Sequence, residues 1–74
     1  IDMVVVNETG SLSEVTAAIA RSKGNISNLK ITSRKQDFFE LQVDVEVADL
    51  HHLSEIIANL RAVPCVSRVK RGRN

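Results

Sequence analysis

Apolar residues along this chain switch between a period of two and a period near 3.6, and the switches divide it into six segments. Ile1-Asp2-Met3-Val4-Val5-Val6 is β-branched and too short for a stable helix, so it predicts a buried strand. Asn7-Glu8-Thr9-Gly10 is turn chemistry, and Ser11 stands three residues before Glu14, the spacing of a capping box. Leu12, Val15, Ala18 and Ile19 then share one helix face, with Arg21 and Lys23 near the end and Gly24 as a stop. Asn25 to Lys35 predicts a second strand, Leu29 and Ile31 facing one way and Lys30, Thr32 and Arg34 the other. Phe39, Leu41, Val43, Val45 and Val47 alternate with Glu40, Gln42, Asp44 and Glu46, the pattern of an antiparallel strand with one wet face. Gln36-Asp37 joins these two strands as a hairpin. Asp49 is an N-cap for a second helix whose buried stripe is Leu50, Leu53, Ile56, Ile57 and Leu60, and Pro64 stops it. Cys65 to Arg71 completes the set as a strand, although Val66 and Val69 are out of phase for simple alternation.

The order β-α-β-β-α-β, with the polar faces of the strands on one side, requires both helices to cover the other side. This predicts an α+β, ferredoxin-like two-layer sandwich: a four-stranded antiparallel sheet with two helices on one face. Many unrelated activities use that architecture, so the site must decide function.

Composition narrows the choice. With 74 residues the chain is one domain, and 43% apolar with 26% charged residues argues against disorder. So short a chain buries only about 60% of its unfolded surface, which favours a dimer. No apolar run approaches the roughly 20 residues needed to cross a bilayer. One cysteine excludes a disulfide scaffold, and a net charge of +1 removes the main argument for non-specific nucleic-acid binding. The start at Ile1, with no methionine or signal-peptide pattern, reads as a piece of a longer intracellular protein, cytoplasmic in setting. The last residues, 72–74, read as a polar tail after a domain spanning 1–71.

Common uses of this fold find little chemistry here. Base stacking needs aromatic rings on the open sheet face, and Phe38 and Phe39 are adjacent, so at most one points outward. A metal carrier needs paired cysteines in the first loop, which has none, and His51 and His52 lie about 100° apart on a helix, as solvated residues do. Cys65 reads as a small apolar filler. The loop carries Glu8 and no cation to cradle a phosphate, and no catalytic centre emerges. What the loop offers is a helix N-terminus whose amides from about Ser11 to Val15 suit a carboxylate. Asn7, Thr9 and Ser11 surround it, and Glu8 can meet an ammonium, so a free amino acid fits. The same residues also make an ordinary turn before a capped helix.

Asn7-Glu8-Thr9-Gly10-Ser11-Leu12, Ile19-Ala20 and Gly24-Asn25-Ile26 on a β-α-β-β-α-β chain resemble the ACT domain. The second half is similar to the C-terminal ACT domain of long Rel/SpoT-type enzymes of the alphaproteobacterial kind. That likeness rests on Asp37-Phe38-Phe39, Val47 to Leu53, Ile56 to Arg61 and Val66 to Arg71. Those enzymes are bifunctional synthetase/hydrolases of the alarmone (p)ppGpp. The loop also resembles the small, valine-sensing regulatory subunit of acetohydroxyacid synthase. The resemblance implies a non-catalytic regulatory domain without a cofactor, commonly dimeric, binding valine or isoleucine and acting on N-terminal catalytic domains of its parent chain. Asn7 and Glu8 would face the ligand ammonium, and the amides of Gly10, Ser11 and Leu12 its carboxylate, with Thr9 beside them. Asn25 and Ile26 would lie against the ligand, often across a subunit boundary, with Ile26 and Leu12 lining its side chain. The competing expectation is an interaction module without a small ligand, docking to the ribosome or to its own parent chain.

Overall fold

β-branched and alternating segments become strands, and the two 3.6-period segments become helices, in a computed structural model that describes residues 1–71. The elements are β1 (Asp2–Val6), α1 (Ser11–Arg21), β2 (Asn25–Arg34), β3 (Phe38–Glu46), α2 (Leu50–Arg61) and β4 (Val66–Lys70). The sheet runs β2-β3-β1-β4, and every neighbouring pair is antiparallel. This is the expected ferredoxin-like sandwich. The expected tail at 72–74 lies outside the described residues, and Lys70 still belongs to β4.

One side of each strand faces the helices. Met3, Val5, Phe39, Leu41, Val43 and Val69 meet Val15, Ala18, Ile19, Ile56 and Leu60 in a continuous core. Each fully buried aliphatic side chain contributes about 1.5–3 kcal/mol. Cys65 is part of this core, as a filler should be.

Three β-bulges change the expected register. One extra residue at Ser27 and one at Thr32 interrupt the β2–β3 ladder. Beyond Thr32 the phase is inverted: Ser33 stands opposite Glu40, and Arg34 opposite the core residue Phe39. Lys30 stands beside Gln42, whereas Arg34, expected on the same face as Lys30, is opposite Phe39 after the bulge. The third bulge, at Ser67, lets Val66 pair with Val5 and Val69 with Met3, which accounts for the irregular spacing of those valines.

Helix ends also differ from expectation. Asp49 caps α2 as expected, its Oδ1 accepting the His52 N–H at 2.8 Å. The capping box on α1 does not form. Gly10 is the N-cap, left-handed at φ 88°, and Ser11 is already inside the helix and buried. At the C-terminus the left-handed residue is Lys23, at φ 63°, rather than Gly24. Lys23 N–H donates to the Ala20 carbonyl and Gly24 N–H to that of Ile19, a Schellman closure. Gly24 is required for space instead: a Cβ there would meet Ile56 and Val45 at 2.9 Å. Leu50, expected in the buried stripe of α2, is 64% exposed and lies outside it.

Candidate functional site

The loop between β1 and α1 is held by the β2–β3 hairpin through both the backbone and the side chain of Asn7. Asn7 N–H donates to the Asp37 carbonyl at 2.9 Å, and its side-chain Nδ2 to the carbonyls of Lys35 at 3.1 Å and Gln36 at 3.4 Å. Asn7 therefore ties the loop to the β2–β3 hairpin with the same amide that was expected to face a ligand. Glu8, Thr9 and Gly10 are exposed beyond it. Leu12 is 38% exposed on the first turn of α1.

The expected amide donors divide into two kinds. Ser11 N–H already donates to the Glu8 carbonyl at 3.2 Å, and the Ser11 carbonyl receives the Cys65 thiol at 3.7 Å, so Ser11 serves the fold. The amides of Gly10, Leu12 and Ser13 make no hydrogen bond among the described residues, and no side chain caps the helix. Ser13 lies within the run of amides, from about Ser11 to Val15, that the sequence offered for a carboxylate, although it was not among the named contact residues. Its signal was present, since a left-handed glycine cap supplies no side-chain acceptor to the amides that follow it.

Asn25 and Ile26 stand elsewhere. They open β2 and pair with Glu46 and Val45 at the end of β3, whereas the loop lies against its beginning. Eight residues of strand separate the two places, roughly 26 Å at about 3.3 Å per residue. The structure thus brings Asn7 to Leu12 together and leaves Asn25 and Ile26 at the opposite end of the same chain. Asn25 Nδ2 donates to Glu46 Oε1 at 2.6 Å, and Ile26 is half-buried on the helix side.

Other chemistry is sparse. His51 is exposed and meets Glu55 at 2.7 Å, but His52 is half-buried and bonded through both ring nitrogens, contrary to the solvated role expected of it. Burial, with Glu14 acting in the same direction, holds the Cys65 thiol above its ordinary pKa. Among the described residues no cluster of three or more His, Cys, Asp or Glu could hold a metal ion, and no helix is long and apolar enough to cross a membrane. A groove of about 410 Å³ separates α1 from α2 beside Ser13 and Glu14, and none of the eight expected residues lines it.

Known proteins agree with this architecture. The chain is 41% identical over 71 residues to the GTP pyrophosphokinase rsh of Brucella abortus, covering 96% of this chain. It is 30% identical over 74 residues to the bifunctional (p)ppGpp synthase/hydrolase SpoT of Escherichia coli. These are the Rel/SpoT-type relatives that the sequence resembled, and the chain spans about 10% of their length. The solution structure of the ACT domain from GTP pyrophosphokinase of Chlorobium tepidum superposes with a TM-score of 0.80 at 23% identity, covering 99% of this chain and 82% of that one. The crystal structure of the same domain gives 0.74 at 21% identity over 89% and 84%. The ACT domain family itself matches residues 1–71, and the chain belongs to it.

Proposed function

We propose that this chain is a regulatory ACT domain that binds valine or isoleucine and tunes (p)ppGpp synthesis and hydrolysis by catalytic domains on the same parent chain, in the cytoplasm. The observation that carries the reading is the uncapped start of α1, where Gly10, Leu12 and Ser13 present unpaired amides beside Asn7, Glu8 and Thr9. A carboxylate satisfies such amides and the positive helix end together. Glu8 lies within the same loop to receive the ammonium, and Leu12 offers an exposed aliphatic wall. Similarity to Rel/SpoT enzymes favours that parent over an acetohydroxyacid synthase subunit.

Because Asn25 and Ile26 lie far from the loop in one chain, the complete site is shared: the loop of one copy meets the start of β2 of another. A homodimer is then a requirement of binding. The segment itself performs no chemistry, and its effect on the catalytic domains is conformational. The test is a thermal-shift screen of the chain against all twenty amino acids, followed by calorimetric titration. At about 100-fold excess over its dissociation constant a ligand adds about 2.7 kcal/mol, readily visible as a raised melting temperature. Valine or isoleucine should stabilise and lysine or glutamate should not. No shift with any amino acid leaves the interaction-module reading, with ribosome or parent-chain docking, in its place.

A further inference from the structure

The sheet face turned away from the helices is arranged in columns of charge that the amino-acid reading does not use. Its central strand β1 presents Asp2, Val4 and Val6, since Met3 and Val5 point into the core. Val4 stands between Glu40 of β3 and Arg68 of β4, its Cα partners on either side. One row along, Asp2 stands between Gln42 and Lys70. Glu40, Arg68 and Lys70 are exposed, and with Asp2 and Val4 they line a shallow depression of about 210 Å³. Strands lie about 4.8 Å apart, so the Glu40 and Arg68 backbones are about 10 Å apart across Val4. Among the described residues the one ion pair within 4.0 Å is His51–Glu55, so none of these four charges has a partner at that range.

We infer that two copies of the chain associate through this face, sheet against sheet, about a two-fold axis parallel to β1. Rotation about an axis passing over Val4 exchanges the β3 and β4 columns. Glu40 of each copy then comes over Arg68 of the other, so the same attractive pair forms twice, as a closed two-fold interface requires. Val4 meets Val4, and the two Asp2 carboxylates are flanked by both Lys70 ammoniums. An axis running across the strands would instead set Glu40 on Glu40 and Arg68 on Arg68. Charge therefore selects one of the two aligned packings open to a pair of sheets. The three strands that overlap about this axis, β3, β1 and β4, each of about five residues, cover roughly 240 Å² per copy, about 480 Å² in total, which makes the association weak and its charges sensitive to salt.

This contact is separate from any site shared through the start of β2, and its test distinguishes the two. Amide NMR spectra of the chain are recorded on dilution from about 1 mM to roughly 20 µM, in about 20 mM and about 500 mM salt. Concentration-dependent shifts are expected along β1, β3 and β4 at low salt, and smaller ones at high salt. Arg68→Glu alone and Glu40→Arg alone should each weaken association by about tenfold or more. An equimolar mixture of the two variants should recover it, because each Glu then meets an Arg. Both positions are exposed, so the fold is retained. Shifts confined to β2 or the helices, absence of concentration dependence at low salt, or no recovery in the mixture would each overturn the proposal.

Discussion

His52 on α2 holds the end of α1 through Ser22. Its Nδ1 accepts the Ala48 N–H at 3.0 Å, which places the ring proton on Nε2, 2.7 Å from the Ser22 carbonyl. That carbonyl is one of those a helix C-terminus leaves unpaired. Asn59, seven residues further along α2, donates to the Ser22 hydroxyl at 2.7 Å, and the hydroxyl donates to the Ala18 carbonyl at 2.9 Å. The two helices are thus joined by a polar grip as well as through the core. His52→Ala should destabilise the chain by about 1–3 kcal/mol, because it strands both the Ala48 amide and the Ser22 carbonyl. His51→Ala, at an exposed site, should stay within about 0.5 kcal/mol. Urea unfolding of the two variants measures the contrast.

Three residues around helix ends separate strain from space. Gly24→Ala drives a methyl group into Ile56 and Val45 at 2.9 Å and Ile19 at 3.0 Å. The expected cost is about 1–3 kcal/mol of overpacking. Gly10→Ala meets nothing within 4 Å and carries only the strain of φ 88°, about 1 kcal/mol. Lys23 already bears such strain at φ 63°, so Lys23→Gly should stabilise by about 0.5–1 kcal/mol. Thermal unfolding that ranks the three in any other order contradicts this division.

Burial, reinforced by the nearby Glu14, keeps the Cys65 thiol protonated above its ordinary value of 9.0. The folded chain therefore retains a proton that the unfolded chain releases near pH 9. Stability is full below that pH and is lost as pH rises through the folded pKa. Cys65→Ala should lose about 1 kcal/mol of packing at neutral pH while removing this alkaline slope. Denaturant midpoints of both proteins, measured from neutral to alkaline pH, give the comparison. A slope unchanged in the variant would assign it to other groups.

Element type was legible because both helices and β3 carry one clear period and β1 is β-branched throughout, and Asp49 as a cap followed from side-chain chemistry alone. The bulges were not, since Ser27, Thr32 and Ser67 carry no glycine or proline to announce them. The uneven spacing of Val66 and Val69 was the visible trace of one. The capping box failed because Gly10, free to adopt φ 88°, took the cap one residue earlier and drew Ser11 inside the helix. In the site, Asn7 to Leu12 are contiguous and could be read as a group. That Asn25 and Ile26 lie roughly 26 Å away follows from α1 carrying the chain back along the sheet, which residue spacing does not reveal.

A site shared between copies makes a prediction about mixtures. Gly10→Val strains the loop at φ 88°, with a β-branched residue forced into the left-handed region, while Asn25→Ala alters only the start of β2, where Asn25 is exposed and bonded to Glu46. Each variant alone should bind valine at least about tenfold more weakly than the wild type, a loss of about 1.4 kcal/mol. In a two-fold dimer formed from one copy of each, the unaltered loop of the Asn25→Ala chain meets the unaltered Asn25 of the Gly10→Val chain. Half of the dimers in an equimolar mixture are of this kind and each holds one good site. Calorimetry of the mixture should therefore recover about a quarter of the wild-type binding sites at wild-type affinity. If the loop alone forms the site, Asn25→Ala binds valine as the wild type does, and mixing adds nothing. That result would keep the amino-acid sensor and remove the requirement for a second copy.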